Sequence, residues 1–266
     1  GRAVGVETTD GGVVTARRAV VAACDAQVLF DRLVPDDALP DAFRQRFTRF
    51  QRAGGTVKVD WALDRPIPWS DPDVGQAGTV HVTDGLDELT LTSGQLAAGV
   101  VPDRPFLLLG QMTTSDPTRS PAGTESAWAY THVPNGALVG DVDAVRRFVD
   151  VMEGRVEERA PGFRDSIRAR YVQGPADLER ADPSLVGGDI AGGTTQLHQQ
   201  LVFRPVPGLG RPETPVRRLY LGSASAHPGG AVHGSCGANA ARAAVAHDRL
   251  DRAVTAVRGL AQRSRR

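Results

Sequence analysis

Lysine is all but absent from this chain. Lys58 is the only one, and every other basic residue among the 31 is arginine. Cysteine and methionine are scarce too, at two each. Cys24 and Cys236 stand far apart, which excludes a disulfide framework and points to a reducing, cytoplasmic setting. Net charge is also missing, since 31 basic residues face 31 acidic ones. No nucleic-acid partner is therefore expected on electrostatic grounds. No apolar run is long enough to cross a bilayer, no leader peptide is visible and no internal repeat recurs. A Gly-x-Ser-x-Gly elbow is absent, so nothing supports a hydrolase. His227, His233 and Cys236 share one loop, but their spacing fits no standard zinc pattern and no second ligand pair accompanies them, so no metal is expected.

What remains is a soluble, globular composition of 266 residues, enough for one large or two modest domains. The wealth of Ala, Gly, Val and Arg suggests a GC-rich bacterial genome. Arg2 to Glu7, Gly12 to Thr15 and Arg18 to Ala22 alternate apolar residues around turn signals at Thr9 to Gly12, predicting a small meander that ends in an apolar strand to Asp25. Helices are predicted over Ala26 to Leu33 and Pro40 to Arg52, the second with Phe43, Phe47 and Phe50 on one face. Strands are predicted over Thr56 to Leu63, Val80 to Thr83, Phe106 to Met112 and Ser126 to His132. Val142, Val145, Phe148, Val149, Met152 and Val156 form one stripe of a helix from Asp141 to Arg159, with Asp141 as cap and Pro161-Gly162 as stop. The basic tail from Gly259 to Arg266 is expected to fray.

The most informative stretch runs from Tyr220 to Ala241. A short apolar strand, Leu219 to Leu221, enters a loop with glycines at 222, 229, 230, 234 and 237, and that loop enters an alanine-rich helix near Ser235. Glycine removes side chains where something bulky approaches the backbone. A helix start leaves N–H groups free for an anion or a polar ring edge. Strand, glycine loop and small-residue helix read as half of a nucleotide-cofactor site. The bland alternative is a strand-to-helix turn with no ligand.

His227-Pro228-Gly229-Gly230-Ala231-Val232, then Gly234, Gly237 and Asn239-Ala240-Ala241, resembles the C-terminal FAD-binding signature of the phytoene dehydrogenase-like flavoproteins. Gly188 to Gly193 with Gln196, Phe203-Arg204-Pro205, and Asp116 to Pro121 agree more weakly. The resemblance implies a mixed α/β fold with two parts. One is an incomplete Rossmann-like FAD domain built from residues 1–33 and 187–266. The other is a substrate domain, residues 34–186, with a mixed or antiparallel sheet and helices. It also implies FAD as cofactor. Gly222 and Ser223 would lie along the ribityl-phosphate part, with Ser223 where many relatives carry an acid. The N–H groups of Ala231 and Val232 would face the pyrimidine end of the isoalloxazine. His227, Pro228, Gly229, Gly230 and Gly234 would shape the turn.

The family's Gly-x-Gly-x-x-Gly turn is missing, which points to the C-terminal part of a longer protein; the alternative is a processed chain complete in itself. The implied activity is hydride removal from a small organic, apolar substrate, which would favour peripheral contact with a membrane. The rival reading is a flavin-less interaction module that keeps the fold. No catalytic acid-base pair and no oligomeric state can be assigned from sequence. Tyr130 and His132 share one strand face and either line a substrate cavity or are ordinary sheet residues. Arg204 reads as a surface salt bridge, with a cofactor or substrate acid as the alternative partner. Gly192 to Gln196 reads as a polar loop.

Overall fold

A computed structural model of the protein describes residues 1–263, with side chains as far as Val257. The fold is mixed α and β. Its strands are β1 (Gly5–Glu7), β2 (Val13–Thr15), β3 (Val20–Ala22), β4 (Gly55–Leu63), β5 (Thr79–Val82), β6 (Leu107–Gln111), β7 (Glu125–Val133), β8 (Ile167–Gln173) and β9 (Leu219–Leu221). The chain divides into two compact units, one of residues 1–52 with 191–266 and one of residues 53–190.

In the first unit β1 and β2 form an antiparallel ribbon, and β3 pairs in parallel with β9. Val20 stands opposite Leu219 and Ala22 opposite Leu221. This is the pairing expected of a strand returning to a nucleotide-binding sheet. The core is aromatic. Phe30 meets Phe43 and Phe47 edge-on at 4.8 and 5.1 Å, and Phe47 stacks on Phe50 at 5.3 Å. These rings share one buried cluster with Leu219 and Leu221. That packing draws the Asp41–Phe47 helix into this unit, so the unit boundary lies after Arg52 and not at residue 33. The Ser235–Arg263 helix ends the described chain. It runs through the first part of the expected tail, and residues 264–266 lie outside the described residues.

The second unit holds an antiparallel sheet in the order β5-β6-β7-β4-β8. Strand alternation assigns its faces. Val57, Val59, Trp61 and Leu63 of β4 are buried on one face with Ala127, Ala129 and Val133 of β7. Against this face lies the Val142–Glu157 helix, which buries Val145, Phe148, Val149, Met152 and Val156. Asp141 caps it by accepting from the Ala144 N–H at 2.8 Å. Glu153 is buried on the same helix and accepts from Trp61 Nε1 at 2.9 Å and from Arg170 Nε at 2.6 Å. A Leu86–Ala97 helix, unexpected from the sequence, is held by charge instead of by an apolar stripe. Its Glu88 receives two bonds, at 2.8 and 2.7 Å, from Arg155, which is 2% exposed. Among the described residues, no helix is long and apolar enough to cross a membrane.

On β7, His132 places Nδ1 3.3 Å from Thr56 Oγ1. Burial holds its pKa below the ordinary 6.5, with the Gly55 backbone and Asp189 opposing the shift. The unfolded chain therefore binds a proton that the folded chain refuses. Stability from this residue is intact above pH 6.5 and falls as pH drops through 6.5 toward the lower folded pKa. Urea denaturation at a series of pH values should show a shallower acid loss in His132→Gln than in the parent; equal slopes would remove His132 from the account.

Candidate functional site

Every residue of β9 is buried, and Gly222 follows with its N–H bonded to Ala22 O at 2.8 Å. A Cβ at Gly222 would meet Val21 Cγ1 at 3.2 Å and Ala240 Cβ at 3.3 Å, so glycine here eases the close passage of the strand under the C-terminal helix. The chain then turns at Ser223, whose carbonyl accepts from Ala226 N–H at 2.9 Å. Ser225, fully buried, is a junction. Its Oγ accepts from Ala26 N–H at 3.0 Å and faces Gly192 O at 2.9 Å and Asp25 Oδ2 at 3.3 Å. One hydroxyl proton serves one of those two acceptors. Asp25 itself caps the next helical turn through the N–H groups of Gln27 and Val28, and pairs with Arg52 at 3.1 Å.

The second half of the loop is held by the helix it leads to. Cys236, buried in the first helical turn, points Sγ at Gly229 O (3.2 Å) and Ala226 O (3.4 Å). His233 Nδ1 accepts from Ser235 N–H at 2.9 Å, which satisfies one helix-start donor locally. Gly229 has φ 120° and packs against Gln200 Oε1, a conformation and closeness that favour glycine. The result is a cavity of about 150 Å³ lined by Gly222, Ser223, Gly229, Gly230, Ala231 and Gly234, with Cys236 at its wall. Six of the nine expected site residues thus converge. His227, Pro228 and Val232 do not line this cavity. Val232 is fully exposed, and the buried Nδ1 of His227 has no hydrogen-bond partner among the described residues. Nor do the described residues bring three His, Cys, Asp or Glu side chains together around a metal.

Arg204 corrects its expectation of a surface salt bridge. It is 0% exposed. Its guanidinium donates to the carbonyls of Ala224 (2.7 Å), Thr194 (2.9 Å), Ala191 (2.7 Å) and Gly192 (2.9 Å). It therefore ties the polar loop before it to the glycine loop after it. The sequence signal was weak: an arginine after an apolar triplet, with no hint that its partners are carbonyls. Asp25, Ser225 and Cys236 were also missed as organisers of the loop, because their partners lie elsewhere in the chain or in its main chain.

The chain is 32% identical over 254 residues to the rat pyridine nucleotide-disulfide oxidoreductase domain-containing protein 2, matching 91% of this chain and 43% of the relative. It is 31% identical over 135 residues to a 4,4'-diapolycopen-4-al dehydrogenase of Metabacillus indicus, matching 50% of this chain and 26% of that protein. In fold it is similar to a putrescine oxidase, with TM-score 0.55 at 15% identity, covering 93% of this chain and 46% of the other. The chain spans less than half the length of the curated relatives it matches. No family model matches it.

Removing the guanidinium would leave several buried carbonyls without a donor. Arg204→Met should cost about 3–5 kcal/mol, the range for stripping one partner from a buried charged network. Arg204→Lys, with a compact ammonium in place of a fork, should recover only part. Denaturant midpoints with hydrogen exchange over residues 191–196 and 223–226 measure this. A loss under about 1 kcal/mol, within the range of one ordinary hydrogen bond, would mean the carbonyls are satisfied otherwise.

Proposed function

The chain belongs to the phytoene dehydrogenase-like oxidoreductases, and from that premise we infer that it forms part of a longer FAD-dependent enzyme that removes hydride from an apolar organic substrate. The observation carrying this reading is the glycine cavity, at the junction of a buried parallel strand, a glycine-rich loop and a helix start. Backbone without side chains, beside free helix N–H groups, suits the polar edge of a flavin ring. A cavity of about 150 Å³ has the space of roughly five waters. It would take one edge of such a ring and not a whole dinucleotide. A parallel pair of only two strands is likewise an unusual sheet to stand alone, since parallel sheets are normally covered on both faces. Both features support a longer protein in which other segments complete the site.

In that protein FAD would supply the hydride-accepting chemistry. The residues of this chain would position it. Gly222 and Ser223 would leave room along the ribityl chain. The N–H groups of Ala231 and Val232 would meet the pyrimidine edge and favour negative charge there through the positive end of the helix dipole. His227, whose Nδ1 lacks a partner here, would shape the loop or touch substrate. The second unit, with its antiparallel sheet, would form the substrate side, where Tyr130 and His132 share the face opposite the helix-covered one.

The glycines give the test, in the longer protein. A branched side chain is strained at Gly234, where φ is 64°. At Gly230 a Cβ would already be 3.3 Å from Ala224 Cβ. Gly230→Val and Gly234→Val should each abolish flavin retention and leave circular dichroism unchanged. His227→Ala should keep the flavin and alter turnover or substrate affinity. Flavin per chain is read from visible absorbance. Full occupancy in both glycine variants would refute the loop as cofactor contact, and a flavin-free parent would favour the interaction module.

A further inference from the structure

The second unit carries a concave patch on the sheet face away from the Val142–Glu157 helix. Strand register builds it in rows. Trp128, Asp60 and Tyr171 stand side by side on β7, β4 and β8, and the next row is Ser126, Ala62 and Ala169. These six residues line a cavity of about 540 Å³. Its floor is a row of small side chains, wide enough for a flat ring system across two strand spacings of about 4.8 Å. Its borders are aromatic. The indole of Trp128 is fixed over Gly110, where any Cβ would overlap the ring, and its Nε1 donates to Met112 Sδ at 3.1 Å. The ring therefore lies back over β6 and leaves the floor open. Tyr130 stacks behind it at 5.9 Å.

Charge selects among flat molecules. Asp60 is already neutralised by its ion pair with Lys58. Arg119 also lines the cavity, is exposed and makes no ion pair among the described residues. The nearby Asp116 is engaged by the N–H and hydroxyl of Thr118, and Arg119 lowers its pKa less than those bonds do. Among the described residues, the unmatched charge facing the floor is thus a guanidinium, whose planar fork suits a carboxylate.

We propose that this patch binds a flat, largely apolar molecule bearing a single carboxylate, with its rings on Ala62, Ser126 and Ala169 and its acid on Arg119. That this molecule is the enzyme's substrate rests on the oxidoreductase reading above; that it binds does not.

Calorimetric titration of this chain, without flavin, uses three probes: 2-naphthoate, its methyl ester and the cationic 2-naphthylmethylamine. The contact to Arg119 is an exposed, solvent-screened ion pair, so naphthoate should bind about two- to fivefold more tightly than the other two. Arg119→Met should erase that preference and leave the ester unchanged. Ala62→Phe or Ala169→Phe, both at exposed positions, should fill the floor and abolish binding of all three without unfolding the chain. Tighter binding of 2-naphthylmethylamine would show that Asp60 and the aromatic rings select cations, and would overturn the proposal. So would no saturable binding of any probe, or naphthoate binding that survives both floor variants. Because flavin is absent from the assay, failure here leaves the flavin loop untouched, and failure of the flavin loop leaves this result standing.

Discussion

The geometry of the first unit depends on one buried guanidinium. Arg204 gathers carbonyls from residues 191–194 and from Ala224, and so fixes two loops that have little apolar surface of their own. Neither loop could be ordered by hydrophobic burial, because glycine and serine offer little area to bury. Directional bonds do that work instead. Ser225 and Asp25 extend the same network to the start of the first helical turn, and Cys236 extends it to the last helix. The glycine loop owes its shape to a polar scaffold.

The second unit divides its labour between the faces of one sheet. One face is an apolar core sealed by a helix, with Glu153 bridging helix to sheet through Trp61 and Arg170. The other bears the polar and aromatic residues Thr56, Lys58, Asp60, Trp128, Tyr130 and His132, none of which the core requires. A strand of period two permits this separation, since each substitution on one face leaves the other unchanged. The edge strand β8 is exposed along most of its length and carries Arg168 and Arg170, a charge pattern that discourages further strands from pairing with it.

Much of this was legible in the sequence where a single periodicity or cap sufficed. The Val142–Glu157 helix announced itself by its stripe and by Asp141, and β9 by a short apolar run before glycine. The family resemblance put β3 and β9 in one domain, where the structure pairs them. The Asp41–Phe47 helix ended earlier than its aromatic spacing suggested, because Phe50 packs from the turn that follows it. β8 escaped notice because its alternation is inverted: Ala169 and Tyr171 are exposed, while Arg170 stands opposite Trp61 and bonds Glu153. The Leu86–Ala97 helix escaped because ion pairs hold it. Arg204, Ser225 and Asp25 were illegible as organisers, since hydrogen bonds to distant main chain leave no local pattern.

The solitary Lys58 has a practical corollary. Its side chain is 31% exposed and bound to Asp60 on β4, an interior strand of the second unit's sheet. Acylation, reductive methylation or amine-directed crosslinking therefore has one side-chain target in these 266 residues. A single isotopically labelled methyl on this side chain would report from the open sheet face. What the composition withholds elsewhere makes this position a built-in spectroscopic probe.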